Sequence, residues 1–275
     1  MLHQYTRKQH YLPKSYLQFF ATPGKNQKMI YAYFIKQDKL QYVDIDTVCM
    51  EKDLYETKIC ISGDEKEKVW RPNELEKSFV GFEGIYASIM QAFVNTEDEK
   101  KFGFVEYHKE ILSLFFAWCT FRNPDFINIV KALSSCQFSN LQIHENTISL
   151  KEIVHNAMMD FISPNGRCIF PRALARTTQD SKLCLLKASR SGFITSDIPL
   201  LNIYGDKNGT EYDLVGIPVT PEYFVAFVDI DASIPSTVQL NDYETSSLNR
   251  RQFISRKPKV LMAKNKESLS DLILR

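Results

Sequence analysis

Residues 28–45 read KMIYAYFIKQDKLQYVDI, two runs rich in β-branched and aromatic residues with Asp38 and Lys39 between them. Such side chains suit a pleated, half-buried surface, so the stretch predicts a β-hairpin. What the hairpin joins decides the fold. Beyond residue 180 the pattern is again β-rich: KLCLLKAS, GFITSD, DLVGIPVT and YFVAFVDI are short and separated by Gly, Pro, Asn and Asp. Between these two regions the sequence is helical. Strands at both ends of a helical middle predict a single α+β domain over residues 1–275, with the early hairpin joining the later sheet. The sheet is mostly antiparallel, with a central helical bundle packed on it. The parts are a helix and hairpin (1–70), a helical subdomain (71–165) and C-terminal sheet and helices (166–275).

Working outward, Pro13 suits a first helical turn because its missing N–H would lack an intrahelical partner there. Tyr16, Leu17 and Phe20 follow at helical spacing, giving about two turns to near Ala21. NELEKSFVGFEGIYASIMQAF places Leu75, Phe79, Phe82, Tyr86, Ile89 and Phe93 close to a 3.6-residue period, with Asn73 as cap. VEYHKEILSLFFAWCTF is apolar almost all round and reads as the central buried helix, ended by Arg122-Asn123-Pro124. SLKEIVHNAMMDFI predicts another helix, with a capping box from Ser149 to Glu152. DYETSSLNRRQFISR predicts a helix, KVLMA a strand, and a last amphipathic helix starts at Ser268.

The chain of 275 residues has net charge +1, 44% hydrophobic and 24% charged residues. A balance this near zero argues against a partner held by bulk electrostatics, though a local basic face remains open. Six scattered cysteines show no metal-binding spacing, and the start MLHQYTRKQH has no apolar run. ILSLFFAWC is roughly half of the ~20 residues a membrane span needs. The expected setting is a reducing cytoplasm with buried free thiols and no membrane contact.

QHYLPKSYLQFFA, MIYAYFIK and DLYE together resemble the start of a bacterial family known as domain of unknown function 4238. Later landmarks follow in order: Glu83 in GFEGIY, Arg122 and Pro124 in WCTFRNP, Ser196, Asp197 and Pro199 in GFITSDIPLL, and Asn249 in SLNRRQFISRKPKVLMA. IPVTPEYFVAF is similar to the family's Pro-Leu-Ser-Pro strand entry, with Val219 and Thr220 replacing Leu and Ser. Trp118, Cys119 and Thr120 depart from the residues usual before the arginine. The resemblance implies a bacterial intracellular protein and a role in anti-phage defence. It supplies no reaction.

Seven residues are candidates for chemistry. His10 stands at the doorstep of the first helix; a positive helix end would keep its imidazole neutral, as base or ligand. Alternatively its ring bonds a backbone group and fixes the chain's entry. Asp197 precedes Ile198-Pro199, at a strand end entering a turn, where it can serve as general base or Mg²⁺ ligand, or with Ser196 can bond the turn's backbone. Arg122 leaves a very apolar helix and must be paired, with Glu83 or Asp197 as partner, unless its fork grips a phosphate. Asn249 and Arg250 can hold such a group or face solvent.

Three functions are therefore open. In the first, His10, Asp197 and Glu83 are catalytic and Arg122, Ser196, Asn249 and Arg250 bind phosphate, cleaving phosphodiester bonds of RNA or DNA as a nuclease-like hydrolase. Mg²⁺ would have two or three hard oxygens to draw on. In the second, the same residues form an internal network in a non-catalytic sensor or binding module, whose partner is nucleic acid or a phage component. In the third, the basic run NRRQFISRKPK, with Arg250, Arg251 and Arg256, tracks a nucleic-acid backbone. No Walker loop, dinucleotide glycine series, H-E-x-x-H or G-x-S-x-G is present. GDKNGTEYD lacks calcium-loop spacing and predicts a polar hairpin loop.

Overall fold

The computed structural model describes residues 7–24, 27–56, 58–60, 68–96, 104, 106–128, 152, 155–156, 158–159, 181–203, 214–254 and 257–273. In chain order the strands are β1 (Lys8–His10), β2 (Thr22–Pro23), β3 (Lys28–Phe34), β4 (Lys39–Asp44), β5 (Met50–Lys52), β6 (Lys58–Cys60), β7 (Lys68–Trp70), β8 (Lys182–Lys187), β9 (Thr195–Ser196), β10 (Leu201–Ile203), β11 (Leu214–Pro218), β12 (Tyr223–Val228), β13 (Thr237–Gln239) and β14 (Val260–Ala263). The helices are α1 (Lys14–Leu17), α2 (Glu74–Val94), α3 (Glu106–Phe121), α4 (Asp242–Ile254) and α5 (Lys266–Ile273).

The hairpin forms as β3 and β4, antiparallel, with Phe34 opposite Lys39 and Met29 opposite Asp44. Its turn needs a left-handed residue, and Asp38 takes φ 49 there, one of the few non-glycine types that tolerate it. The Tyr33 hydroxyl donates to the Asp38 carboxylate at 2.6 Å.

The hairpin joins only part of the later strands. One sheet runs β2-β3-β14-β9 with β4 on β3; the other C-terminal strands make a separate sheet, β10-β11-β12-β8-β13, antiparallel except for β13 beside β8. The fold is α+β, as the pattern of elements predicts, but it has two five-stranded sheets where one was expected. Two buried strand sets look alike in sequence, because each shows only short apolar runs.

The core fills the space shared by both sheets and the helices. One cluster includes Leu17, Phe20 and Ile30 from the N-terminal part, Tyr86, Phe115 and Phe116 from the helices, and Phe227 and Met262 from the two sheets. Tyr86 and Phe115 stack at 3.6 Å, and Phe116 meets Phe227 edge-on at 5.3 Å. From Ile111 to Cys119 α3 is buried on nearly every side, which is why that part of its sequence is apolar all round. Tyr16 couples the sheets directly. Its buried hydroxyl lies 2.6 Å from Thr195 Oγ1 on β9 and 2.6 Å from the carbonyl of Pro218, which closes β11.

Helix α2 begins after Asn73, as predicted, but the asparagine makes no side-chain cap; it sits at φ 59 and its N–H donates to the Glu56 carboxylate. Glu152, His155 and Met158 are helical, whereas Ser149 and the GDKNGTEYD loop lie outside the described residues. Cys49, Cys119 and Cys184 are buried free thiols. No helix among the described residues is long and apolar enough to cross a membrane.

Candidate functional site

α3 ends because Pro124 cannot continue it, and Asn123 then caps the next turn, accepting the Asp125 N–H at 2.8 Å. Arg122 is thereby fixed at a buried helix end with its side chain 1% exposed. A guanidinium taken out of water must have its donors engaged. Nε donates to the Tyr55 hydroxyl at 3.1 Å, Nη1 donates to Glu83 Oε1, and Nη2 donates to the His10 carbonyl. Glu76 adds a second carboxylate, 3.8 Å from Nη2. The flat of the cation lies 4.3 Å from the Phe79 ring centre, with Tyr55 and Trp118 further off at 5.6 and 5.7 Å. Burial opposes the charge on Arg122, but Tyr55, Glu83 and Glu76 more than offset it and hold its pKa above the ordinary value. Burial raises the Tyr55 hydroxyl as well.

His10 takes part through its backbone. Its carbonyl accepts from Arg122, while β1 pairs it with Met50 of β5. One ring nitrogen bonds the Ile45 backbone, and Nε2 is buried with no partner. Burial, then Lys14, brings the imidazole down to about 4, against a smaller opposing pull from Asp46. The residue borders an open hollow of about 530 Å³, together with Lys8, Lys14, Asp46, Glu76 and Lys77. Lys14 pairs with Asp46 at 3.2 Å. Glu76 is raised, chiefly by burial, and accepts the His10 N–H. Neither Arg122 nor Asp197 lines this hollow.

Asp197 closes β9. Its Oδ1 accepts the amides of Lys259 at 3.0 Å and Val260 at 3.3 Å, and its own N–H donates to the Val260 carbonyl. Its carbonyl accepts from Asn123, the neighbour of Arg122. Oδ2 is buried without a partner. Two amide bonds favour the anion, yet burial outweighs them and raises the carboxyl to about 6. Ser196 Oγ accepts the Ile198 N–H and donates to Gln252 Oε1 at 3.0 Å.

The same segment is pinned from α4. Asn249 accepts the Ile194 N–H at 3.1 Å and donates to the Gly192 carbonyl at 2.9 Å, where φ 69 requires glycine's freedom. Gln252 donates to the Pro199 carbonyl at 2.7 Å, and Thr245 Oγ1 accepts the Ser189 N–H. Arg250, one position from Asn249, points outward and is exposed.

The sequence-predicted residues thus divide. His10, Glu83 and Arg122 meet around one guanidinium; Ser196 and Asn249 meet the α4 side of the 192–199 segment; Asp197 stands between, linked to the first group by Asn123. Glu83 and Asp197, the carboxylates a Mg²⁺ would draw on, have separate partners, and among the described residues no three His, Cys, Asp or Glu side chains group to hold a metal. Tyr55, Glu76 and Gln252 are network members that sequence reasoning missed. Tyr55 lies in the DLYE stretch, and Gln252 continues the spacing Thr245, Asn249, a signal hidden because a buried polar stripe on a helix looks solvated in sequence.

Comparison with curated proteins and with solved structures finds no match. The family model described as "Protein of unknown function (DUF4238)" matches residues 8–256, and the chain belongs to that family.

Proposed function

We propose that this chain is a non-catalytic binding module whose motif residues build an internal polar network, leaving recognition to its surface. The observation that carries this reading is Arg122. It is the cation best suited to grip a phosphate, and its three donor nitrogens are already turned to Glu83, Tyr55 and the His10 carbonyl in a buried site. Asp197 and Asn249 likewise satisfy backbone amides of distant segments. The test is incubation of the purified chain with total RNA, tRNA and DNA, with and without Mg²⁺. The nucleic acids should stay intact, and Glu83→Gln should lower stability. Cleavage abolished by Glu83→Gln in a protein as stable as wild type would refute the proposal.

One observation favours a second reading, a hydrolase centred on His10 and Glu76. Both side chains border the open hollow, and both are pushed toward their neutral forms, a base and an acid side by side among lysines. That reading suits phosphodiester cleavage and a defence role. It predicts that His10→Ala and Glu76→Gln each abolish cleavage and phage protection while the protein stays folded.

A further inference from the structure

Helix α4 has two working faces. Thr245, Asn249 and Gln252 turn inward, as above. Tyr243, Ser246, Ser247, Arg250 and Phe253 fall at helical spacing on the other side and border a hollow of about 350 Å³, walled opposite by Leu272 of α5. Tyr243 is 82% exposed and Phe253 38%, a large aromatic area left in water. Arg250 sits between them, about 10 Å along the axis from Tyr243 and about 4.5 Å from Phe253. Through Ser191 and Ser268 this hollow meets a second of about 200 Å³, where Lys187, Arg190 and Lys264 face one carboxylate, Glu222. Ser268 Oγ donates to the Ser191 carbonyl at 2.7 Å and forms the sill between the two. Among the described residues Arg190, Arg250 and Lys264 make no ion pair.

We infer that this double groove binds single-stranded nucleic acid, its bases stacking on Tyr243 and Phe253 and its phosphates held by Arg250, Arg190 and Lys264. The inference deepens the binding-module reading and rests on it. Exposed rings interleaved with unpaired cations are what an unstacked polynucleotide needs, because every base offers a face to stack and every link a negative charge. A duplex hides its bases from such rings. An overall charge of +1 gives no attraction at a distance, so affinity has to come from this local arrangement. The Ser246 and Ser247 hydroxyls along the groove supply further donors for phosphate oxygens.

The experiment uses the full chain and a fluorescent oligouridylate of about 12 nucleotides, within the usual site size of single-strand binders, followed by anisotropy against salt. The single strand should bind in preference to a duplex of the same length. Tyr243→Ala and Phe253→Ala should each weaken binding about five- to tenfold. The double variant Arg190→Ala, Lys264→Ala should flatten the log–log salt slope by about 1.4, or about 0.7 for each lost contact. Lys14→Ala with Lys77→Ala, at the His10 hollow, should change nothing. Equal binding of the duplex, unchanged affinity in both aromatic variants, or displacement of the oligouridylate from these residues by an acidic peptide of higher affinity would each overturn the inference. Cleaved oligouridylate would refute the non-catalytic reading; intact oligouridylate that fails to bind would refute the groove and leave that reading standing.

Discussion

Replacing Asp197 by asparagine should remove part of the protein's pH dependence of stability. The carboxyl is raised from 3.8 to about 6 because burial of a partnerless Oδ2 outweighs two amide bonds to Oδ1. The folded chain therefore holds this proton more tightly than the unfolded chain. Its contribution is fully present below pH 3.8 and is lost as pH rises through 6. Linkage over that shift gives a loss of about 1.4 kcal/mol between about pH 5 and pH 8. Asparagine keeps an oxygen for the Lys259 and Val260 amides but cannot ionise. Its NH₂ takes the orphaned position, which costs about 1–3 kcal/mol at every pH and leaves the increment untouched. Urea denaturation of both proteins at the two pH values measures the effect. The difference in stability between wild type and Asp197→Asn should move by about 1.4 kcal/mol in the variant's favour at the higher pH. A difference that stays constant would mean the carboxylate is ionised throughout, and the burial argument would fail.

Arg122→Ala leaves the half-buried Glu83 carboxylate and the His10 carbonyl without their cation, and should destabilise by about 3 kcal/mol in the same assay. Tyr16→Phe removes the hydroxyl that joins β9 to the end of β11, for a loss of about 1–3 kcal/mol; an unchanged midpoint would show that the two sheets do not depend on this bond. His10 acts in the opposite direction to Asp197. With its folded value near 4, below the unfolded 6.5, stability is lost as pH falls through that window. Because Asp197 pulls the other way over the same range, the readout is the difference between proteins: the stability of wild type relative to His10→Asn, which can still donate to the Ile45 backbone, should fall by about 2 kcal/mol between about pH 7 and pH 5.

Local signals in the sequence carried well where one physical cause dominates. The hairpin at 28–45, the buried α3 and the helix end at Pro124 each follow from side-chain shape, apolar pattern or a missing N–H. Partition of the strands into two sheets was not legible, since it depends on which distant runs pair with each other, as β14 does with β3 and β12 with β8. The candidate site shows the same division. That Arg122 needs a carboxylate could be argued from burial alone, and Glu83 is its partner. That the guanidinium also takes Tyr55 and a backbone carbonyl could not, because a carbonyl has no sequence signature. Asn249 illustrates the reverse error. In a helix of low hydrophobicity it reads as a residue that holds a phosphate or faces solvent, yet it is 4% exposed and secures two backbone groups 55 and 57 positions away.

The carbonyl at position 10 that accepts from Arg122 belongs to the backbone and would be offered by any residue there. Whatever the histidine itself contributes must come through its ring. That ring has one bond, to the Ile45 backbone, and a second nitrogen buried without a partner. An unsatisfied ring nitrogen costs about 1–3 kcal/mol, comparable to what the Ile45 bond returns or larger. On stability alone the imidazole is therefore a poor choice, and a smaller donor would serve the entry to α1 as well. The hollow beside it, with Glu76 accepting the His10 N–H and lysines at its edge, is then a place where the ring's chemistry has something to act on. This makes the ring, rather than the arginine or the aspartate, the group whose replacement separates scaffold from chemistry: a fold unharmed by His10→Asn, with nucleic acid left intact by both proteins, is compatible only with the binding module.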